Sequence, residues 1–573
     1  MLLAKTVMAT EAMQRRQRVA PLLVVRASGH LSDGQRRYPR WELTNAELQR
    51  LLAEGVGGVI LLGASAAELG QRTRQLASWS EQPLLLCADV EEGVGQRFEG
   101  ASWLVPPLAL GRIHAADAAA ALALAERYGR CSGREARALG LNWVLGPVCD
   151  VNNNPDNPVI NVRAWGEDPA TAGALAAAFL RGAQAEGVLC CAKHFPGHGD
   201  TSSDSHLELP LLSHSRERLE RIELPPFRQA IAAGVASVMT AHLLLPSLDP
   251  DLPATLSPVV LNDLLRQELG FDGLVVTDAL VMEAITGRYG AGEAAVLALE
   301  AGADLVLMPA DADAALDAIV AAIEAGRLSH ERLEASLERR RLALARSSSA
   351  QQQQSKPATG SSTAMAMQPD ACPIQSPGSP LGGLSNGPIA ADQALALELV
   401  RRSLERQGPQ LAPERLASGS LNLIRVDTLL GCPFLSATAP ALLLPAEAGL
   451  STCLLAGQGP SPWSDNPQAP LALERLGPGP VLLQLFVRGN PFRGSAGGGQ
   501  EPWPAVIAQL QAAGRLAGLA VYGSPYLWQQ LQPLLEPTIA AAYSPGQMPL
   551  AQAELLRSLG LGATGSQTEG FTD

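Results

Sequence analysis

A chain of 573 residues is longer than one compact core usually organises, so two domains are expected. Hydrophobic residues make up 47% of it and aromatics only 4%, which suits buried strands among Ala- and Leu-rich helices, as in α/β enzymes. The net charge of −13 argues against a phosphate-backbone partner, because nucleic-acid binders gather Lys and Arg to displace counterions.

The first residues, MLLAKTVMATEAMQRRQRV, place Lys5 inside the apolar start and the Arg cluster after it, the reverse of a secretory signal. No uninterrupted apolar run approaches the roughly 20 residues needed to span a bilayer. A cytoplasmic protein with no membrane partner is the expectation. The eight cysteines are scattered, and the adjacent Cys190 and Cys191 fall in an apparent strand, where neighbours point to opposite faces. Reduced, buried thiols follow from that.

From about residue 20 to 345, short apolar runs alternate with helical Ala/Leu/Glu/Arg stretches. The runs are PLLVV at 21, GGVILL at 57, PLLLCAD at 83, NWVLGPVCD at 142, GVLCCAK at 187, ASVMTAH at 236, GLVVTDA at 273 and DLVLMP at 304. Continuous apolar strands between amphipathic helices imply a parallel sheet covered on both faces, and eight of them favour a closed (β/α)₈ TIM-type barrel over a doubly wound sheet. In such a barrel the site lies at the carboxyl ends of the strands. Asp89, Asp150, Lys193, His194, His242 and Asp278 follow the runs there.

The barrel is expected over 1–346 and a Ser/Gln/Pro/Gly linker over 347–388, where SSSAQQQQSKPATGSSTA carries too little apolar content to order itself. A smaller, sandwich-like α/β domain is expected over 389–573, with LNLIRV, ALLLP, VLLQLF and LAVY as strands. No catalytic constellation stands out in it.

The densest polar segment is KHFPGHGDTSSDSHLELP, 193–210, with three histidines of the chain's eight. In Asp204-Ser205-His206 a carboxylate two residues before an imidazole can hold one ring nitrogen and leave the other for proton transfer. The rival reading is a metal site built from His198, Asp200, Asp204 and His206, which are suitable ligand types. Gly197 and Gly199 serve either as loop hinges or as points of close backbone packing, and Thr201, Ser202 and Ser203 form a polar tip. In GFDGLVVTDALVM, 270–282, a strand delivers Asp278, which can attack an anomeric carbon or, more plainly, cap a helix. Asp272 reads as a turn residue and Asp263 as a helix-surface one.

Three strings, KHFPGHGDTSSDSHLELP, ALGLNWVLGPVCDVNNNPDNPVINVRAWGEDP (138–169) and RQELGFDGLVVTDALVM (266–282), together resemble glycoside hydrolase family 3, in its bacterial β-N-acetylglucosaminidase branch. VRGNPFRG is similar to that family's accessory C-terminal domain. The resemblance implies a retaining enzyme acting on small carbohydrates such as muropeptide fragments, with Asp278 as nucleophile and His206, supported by Asp204, as acid/base. Most retaining glycosidases use two carboxylates about 5–5.5 Å apart, and here an imidazole replaces one. It also implies that Lys193, His194, Arg163, Asp89 and Arg97 bind the sugar, with no cofactor and no metal. One departure stands out: where Asp-Gln-Glu-Gly-Gly is the family's expected string, this chain has Asp89-Val90-Glu91-Glu92-Gly93, with Glu92 in the place of a glycine.

Overall fold

The computed structural model describes residue 11 and residues 13–201, 209–354, 387–411, 416, 419–426, 433–456, 472–488 and 502–562. Eight parallel strands form the first unit: β1 (Leu23–Ser28), β2 (Gly58–Leu62), β3 (Leu85–Ala88), β4 (Trp143–Val144), β5 (Leu189–Phe195), β6 (Ser237–Thr240), β7 (Leu274–Val276) and β8 (Val306–Leu307). Their order is β7-β6-β5-β4-β3-β2-β1-β8, and a parallel bridge between Val276 and Leu305 closes the ring. Each apolar run anticipated from the sequence is one of these strands.

Alternation along the strands sorts their side chains into two cores. Val24, Ile60, Cys87, Trp143, Cys191, Met239, Val276 and Leu307 fill the barrel interior. Val25, Val59, Val144, Cys190, Val238 and Val275 pack outward against the helices. Cys190 and Cys191 therefore do face opposite ways. The six described cysteines are free, and five of them are buried. Trp143, fully enclosed, satisfies its indole by donating to Ser237 Oγ at 2.8 Å, and Ser237 in turn donates to the Cys190 carbonyl.

The barrel's last helix runs from His330 to Gln354. The expected linker lies outside the described residues over 355–386. Helix Ala390–Ser403 then packs Leu395, Leu399 and Val400 into the barrel's outer core.

The second unit is a mixed sheet of β9 (Glu405–Gln407), β10 (Leu421–Val426), β11 (Ser451–Ala456), β12 (Val481–Val487), β13 (Leu516–Gly523) and β14 (Ala540–Ser544). The order is β11-β10-β12-β13-β14-β9, parallel except for β9 at the edge. Separate apolar cores line its two faces. The sequence reading is corrected at one point. ALLLP is not a strand but part of helix Pro440–Glu447. Pro445 has no N–H to offer the Ala441 carbonyl, and Asn422 Nδ2 and Gln484 Nε2, both at 2.9 Å, donate to that carbonyl from the sheet. Among the described residues no helix is long and apolar enough to cross a membrane.

Candidate active site

At the carboxyl end of β3 the chain turns through Asp89-Val90-Glu91-Glu92-Gly93. Gly93 adopts φ +74°, and a Cβ there would stand 2.4 Å from the Ser102 carbonyl, so only glycine lets the turn lie this close to its neighbour. Gly95 N–H donates to Ser102 and Leu104 N–H to Glu92, which pins the turn along its length.

The turn presents carboxylates to two cations, one on β5 and one in the segment between β4 and β5. Lys193, buried at the end of β5, lies 2.8 Å from Asp89 Oδ1 and 2.7 Å from Glu91 Oε1. Arg163, from the 3₁₀ turn Asn161–Arg163, donates to both Glu91 oxygens at 2.8 and 2.9 Å and to the Val159 carbonyl at 3.1 Å. Burial opposes every charge here, yet opposite charges prevail. Arg163 and Lys193 hold Glu91 well below the usual carboxylate range, and Lys193 and Arg97 lower Asp89. Conversely, Asp89 and Glu91 raise Lys193 despite its burial. The group stays ionised and hydrogen-bonded, a polar floor suited to sugar hydroxyls. Arg97 donates to the Asp89 backbone carbonyl at 3.3 Å, which fixes the turn rather than the carboxylate.

Asp150, wholly buried after β4, organises the next segment. Its Oδ2 lies 2.7 Å from His194 Nδ1, and its Oδ1 accepts the N–H groups of His194 and His198 at 3.1 and 2.7 Å. A carboxylate at Nδ1 holds the ring by that nitrogen and leaves Nε2 turned away from Asp150. The His198 ring is buried, and burial lowers its pKa to about 4, so it is neutral at ordinary pH. Its Nδ1 meets Thr201 Oγ1 at 2.9 Å. Asn157 ties the segments together, donating to the His198 and Gly199 carbonyls at 2.9 and 2.8 Å.

The two glycines of this segment mark close approach. A Cβ on Gly199 would stand 1.7 Å from the Val151 carbonyl, and one on Gly197 would stand 2.7 Å from Glu223 Cβ. Asp204 and His206 lie outside the described residues.

Asp278 follows β7. The helix after it, Glu283–Tyr289, has Met282 at its N-cap position with no side-chain capping bond, so the plainer role of helix cap does not belong to Asp278. Its Oδ1 accepts from Ala279 N–H at 2.7 Å, and its own N–H reaches Thr240 Oγ1 at 3.4 Å. Beneath that turn, Thr255 Oγ1 lies 2.8 Å from both Thr240 Oγ1 and His242 Nδ1, and His242 Nε2 lies 3.2 Å from the Ala279 carbonyl. Asp272 and Asp263 are exposed, Asp263 on helix Val259–Glu268.

The structure therefore brings Asp89, Lys193 and Arg163 into one cluster and sets His194, Arg97 and Asp278 on the same rim of the barrel. Sequence reasoning missed Glu91, Asn157 and Thr255 and left Asp150 unassigned. Asp150 was legible as a polar residue ending a strand. Of the ligand types considered for a metal, Asp200 is engaged with His214 at 3.1 Å and Arg218 at 2.8 Å. A separate group of metal-ligand types, Cys131, Glu135 and Asp392, lies between helices Ala118–Ala138 and Ala390–Ser403. Ser102 donates to both Glu135 oxygens and Arg134 pairs with Asp392, so these carboxylates join elements.

A closed parallel barrel that carries at its strand ends a buried cluster of ion-paired carboxylates and cations, with an aspartate beyond the seventh strand, fits a glycoside hydrolase. The chain belongs to glycosyl hydrolase family 3: residues 16–341 match its N-terminal domain and residues 415–560 the bacterial family 3 C-terminal domain. It is 38% identical over 284 residues to a beta-hexosaminidase of Stenotrophomonas maltophilia, covering 48% of this chain and 84% of that one. It is 35% identical over 294 residues to a beta-N-acetylglucosaminidase/beta-glucosidase of Cellulomonas fimi, covering 50% of this chain and 51% of that one. In three dimensions it is similar to a family 3 beta-N-acetylglucosaminidase of Paenibacillus sp. FPU-7, with TM-score 0.70, 30% identity and coverage of 95% and 96% of the two chains. These relatives represent the branch anticipated from the sequence.

Proposed function

We propose that the protein is a retaining exo-β-N-acetylglucosaminidase that releases terminal β-linked N-acetylglucosamine, acting in the cytoplasm on cell-wall muropeptide fragments. The observation that carries the reading is the Lys193–Asp89–Glu91–Arg163 cluster at the barrel mouth that also presents Asp278. The names borne by the Stenotrophomonas and Paenibacillus relatives support the choice of sugar. Residues 1–346 form the catalytic unit in this reading, and 389–573 the accessory one.

In the first step an Asp278 carboxylate oxygen attacks the anomeric carbon. The bond from that carbon to the leaving oxygen breaks, and His206, oriented by Asp204, gives the departing oxygen its proton. Water then attacks the glycosyl-Asp278 ester while His206 takes the water's proton, so aspartate and imidazole return to their starting forms. Asp89 accepts from the sugar's outer hydroxyls and Lys193 and Arg163 donate, while His194 contributes the ring nitrogen turned away from Asp150.

Initial rates on a chromogenic β-N-acetylglucosaminide and the matching β-glucoside, each with and without phosphate, test the reading. Preference for the N-acetyl sugar with no phosphate requirement is expected, together with loss of at least about 10³-fold in kcat for Asp278→Ala. Preference for the glucoside would favour the second activity named for the Cellulomonas relative, and dependence on phosphate a phosphorylase. Full turnover by the Asp278→Ala protein would remove that residue from its role.

A further inference from the structure

Two sequence features, one from each unit, meet in space. Glu92 stands where the family's expected string has glycine, and Arg488 is the second residue of the VRGNPFRG motif of the second unit, following directly on β12. The Arg488 guanidinium forms an ion pair with Glu92 across the two units. Glu92 is 1% exposed and Arg488 9%, so neither charge is a solvated surface one. The indole of Trp103 donates to the other Glu92 oxygen at 3.1 Å. Below the turn, Tyr128 donates to backbone carbonyls on either side, Glu91 at 3.1 Å and Val105 at 2.8 Å.

The charges of this turn explain why the contact matters. Asp89, Glu91 and Glu92 put three carboxylates within four residues. Lys193 and Arg163, both from the barrel, engage Asp89 and Glu91. The cation paired with Glu92 comes from the second unit. A buried carboxylate deprived of its counter-charge either takes up a proton or moves toward water, and Glu92 is one peptide from Glu91 and three from Asp89. Any such movement displaces the carboxylates that hold Lys193.

We propose that Arg488 is a positioning residue for the sugar-binding site, supplied by the second unit: by holding Glu92 it fixes Asp89 and Glu91 against Lys193. This rests on the glycosidase reading given above. It assigns the second unit a part in substrate affinity rather than in bond cleavage.

The test uses full-length protein, steady-state kinetics on the aryl β-N-acetylglucosaminide and thermal unfolding of four proteins: wild type, Arg488→Met, Glu92→Gln and the double variant. Arg488→Met is expected to raise KM about tenfold while kcat stays within about threefold, a loss that Arg488→Lys shares only in part. The double variant is expected to match Glu92→Gln in KM, because an uncharged residue 92 no longer needs the cation. A merely structural Arg488 would lower the unfolding midpoint without moving KM and would not be cured at residue 92. Wild-type KM in Arg488→Met, or a double variant no better than Arg488→Met, overturns the proposal. If Arg488→Met does not fold, the double variant must still fold and equal Glu92→Gln, and its failure counts against the proposal equally. If the wild type turns over no N-acetylglucosaminide, the functional reading falls. The unfolding midpoints then decide the pair alone: non-additive shifts support it and additive shifts refute it.

Discussion

Asp150 holds His194 at both its backbone and its ring: the same carboxylate accepts the residue's N–H at 3.1 Å through Oδ1 and meets its Nδ1 at 2.7 Å through Oδ2. Since Oδ1 also accepts His198 N–H at 2.7 Å, one buried side chain sets both the imidazole's direction and the start of the segment that leads to Asp204 and His206.

Asp150→Asn keeps the volume but puts an amide where the acceptors are needed. Either the ring or the two N–H groups lose their partner. Hydrogen bonds to a charged group are worth about 1.5–3 kcal/mol, so KM for the aryl glycoside should rise roughly 10- to 100-fold, with a smaller loss of stability. Steady-state kinetics beside a denaturation curve would show both. An unchanged KM would mean that His194 does not contact the sugar.

Gly199→Ala tests the close-packing reading of the 197–201 segment. The added methyl would sit 1.7 Å from the Val151 carbonyl, a distance only backbone movement can relieve. Overpacking of this kind costs about 1–3 kcal/mol or more, and movement of Val151 strains the adjoining Asp150. Chemical denaturation should show that loss together with reduced kcat/KM. A stable, fully active variant would indicate that the segment hinges freely there.

Much of this was legible in the sequence because strand ends in a barrel announce themselves by an apolar run breaking into polar residues. Asp89, Asp150, Lys193, His194 and Asp278 all carry that signal. What was not legible depends on partners brought from far along the chain. Glu91 carries no signal of its own until Arg163 and Lys193 meet it, 72 and 102 residues further on by their numbering. ALLLP read as a strand because its apolar run has no helical period. The side chains that compensate for Pro445 come from β10 and β12, which a local window does not contain.

Glu223 predicts a pH dependence of stability. Burial raises its carboxyl to about 7 from an ordinary value of 4.5, against the opposing pull of Arg218, and Oε2 has no hydrogen-bond partner among the described residues. A carboxyl with a raised folded-state pKa favours folding in its protonated form. Its stabilisation is complete below about pH 4.5 and is lost as pH rises through 7. The unfolding midpoint of the wild type should therefore fall between pH 5 and 8 in excess of the change seen in Glu223→Gln, which has no proton to lose. Parallel midpoint–pH curves for the two proteins would show that Glu223 ionises normally.

Tyr526 offers a second point at which the two units touch the site's framework. Its hydroxyl donates to Glu167 Oε1 at 2.7 Å and accepts from Asn152 Nδ2 at 2.7 Å, and Asn152 is two residues beyond Asp150. Asn152 N–H also donates to the Gly166 carbonyl at 3.0 Å, so the hydroxyl joins two barrel segments that already hold each other. Tyr526→Phe removes both bonds while keeping the ring. Because the Glu167 end is exposed, the loss should fall below the range for buried hydrogen bonds to charged groups, at about 1 kcal/mol. Glu167→Gln alone should cost less, and the double variant should cost little more than Tyr526→Phe, leaving a coupling of about 0.5 kcal/mol in denaturation midpoints. KM should move by less than about threefold, since the barrel's own Asn152–Gly166 bond keeps Asp150 in place. A tenfold rise in KM for Tyr526→Phe would show instead that the second unit reaches the sugar site through Asn152, and the weight given to Arg488 would have to be shared with Tyr526.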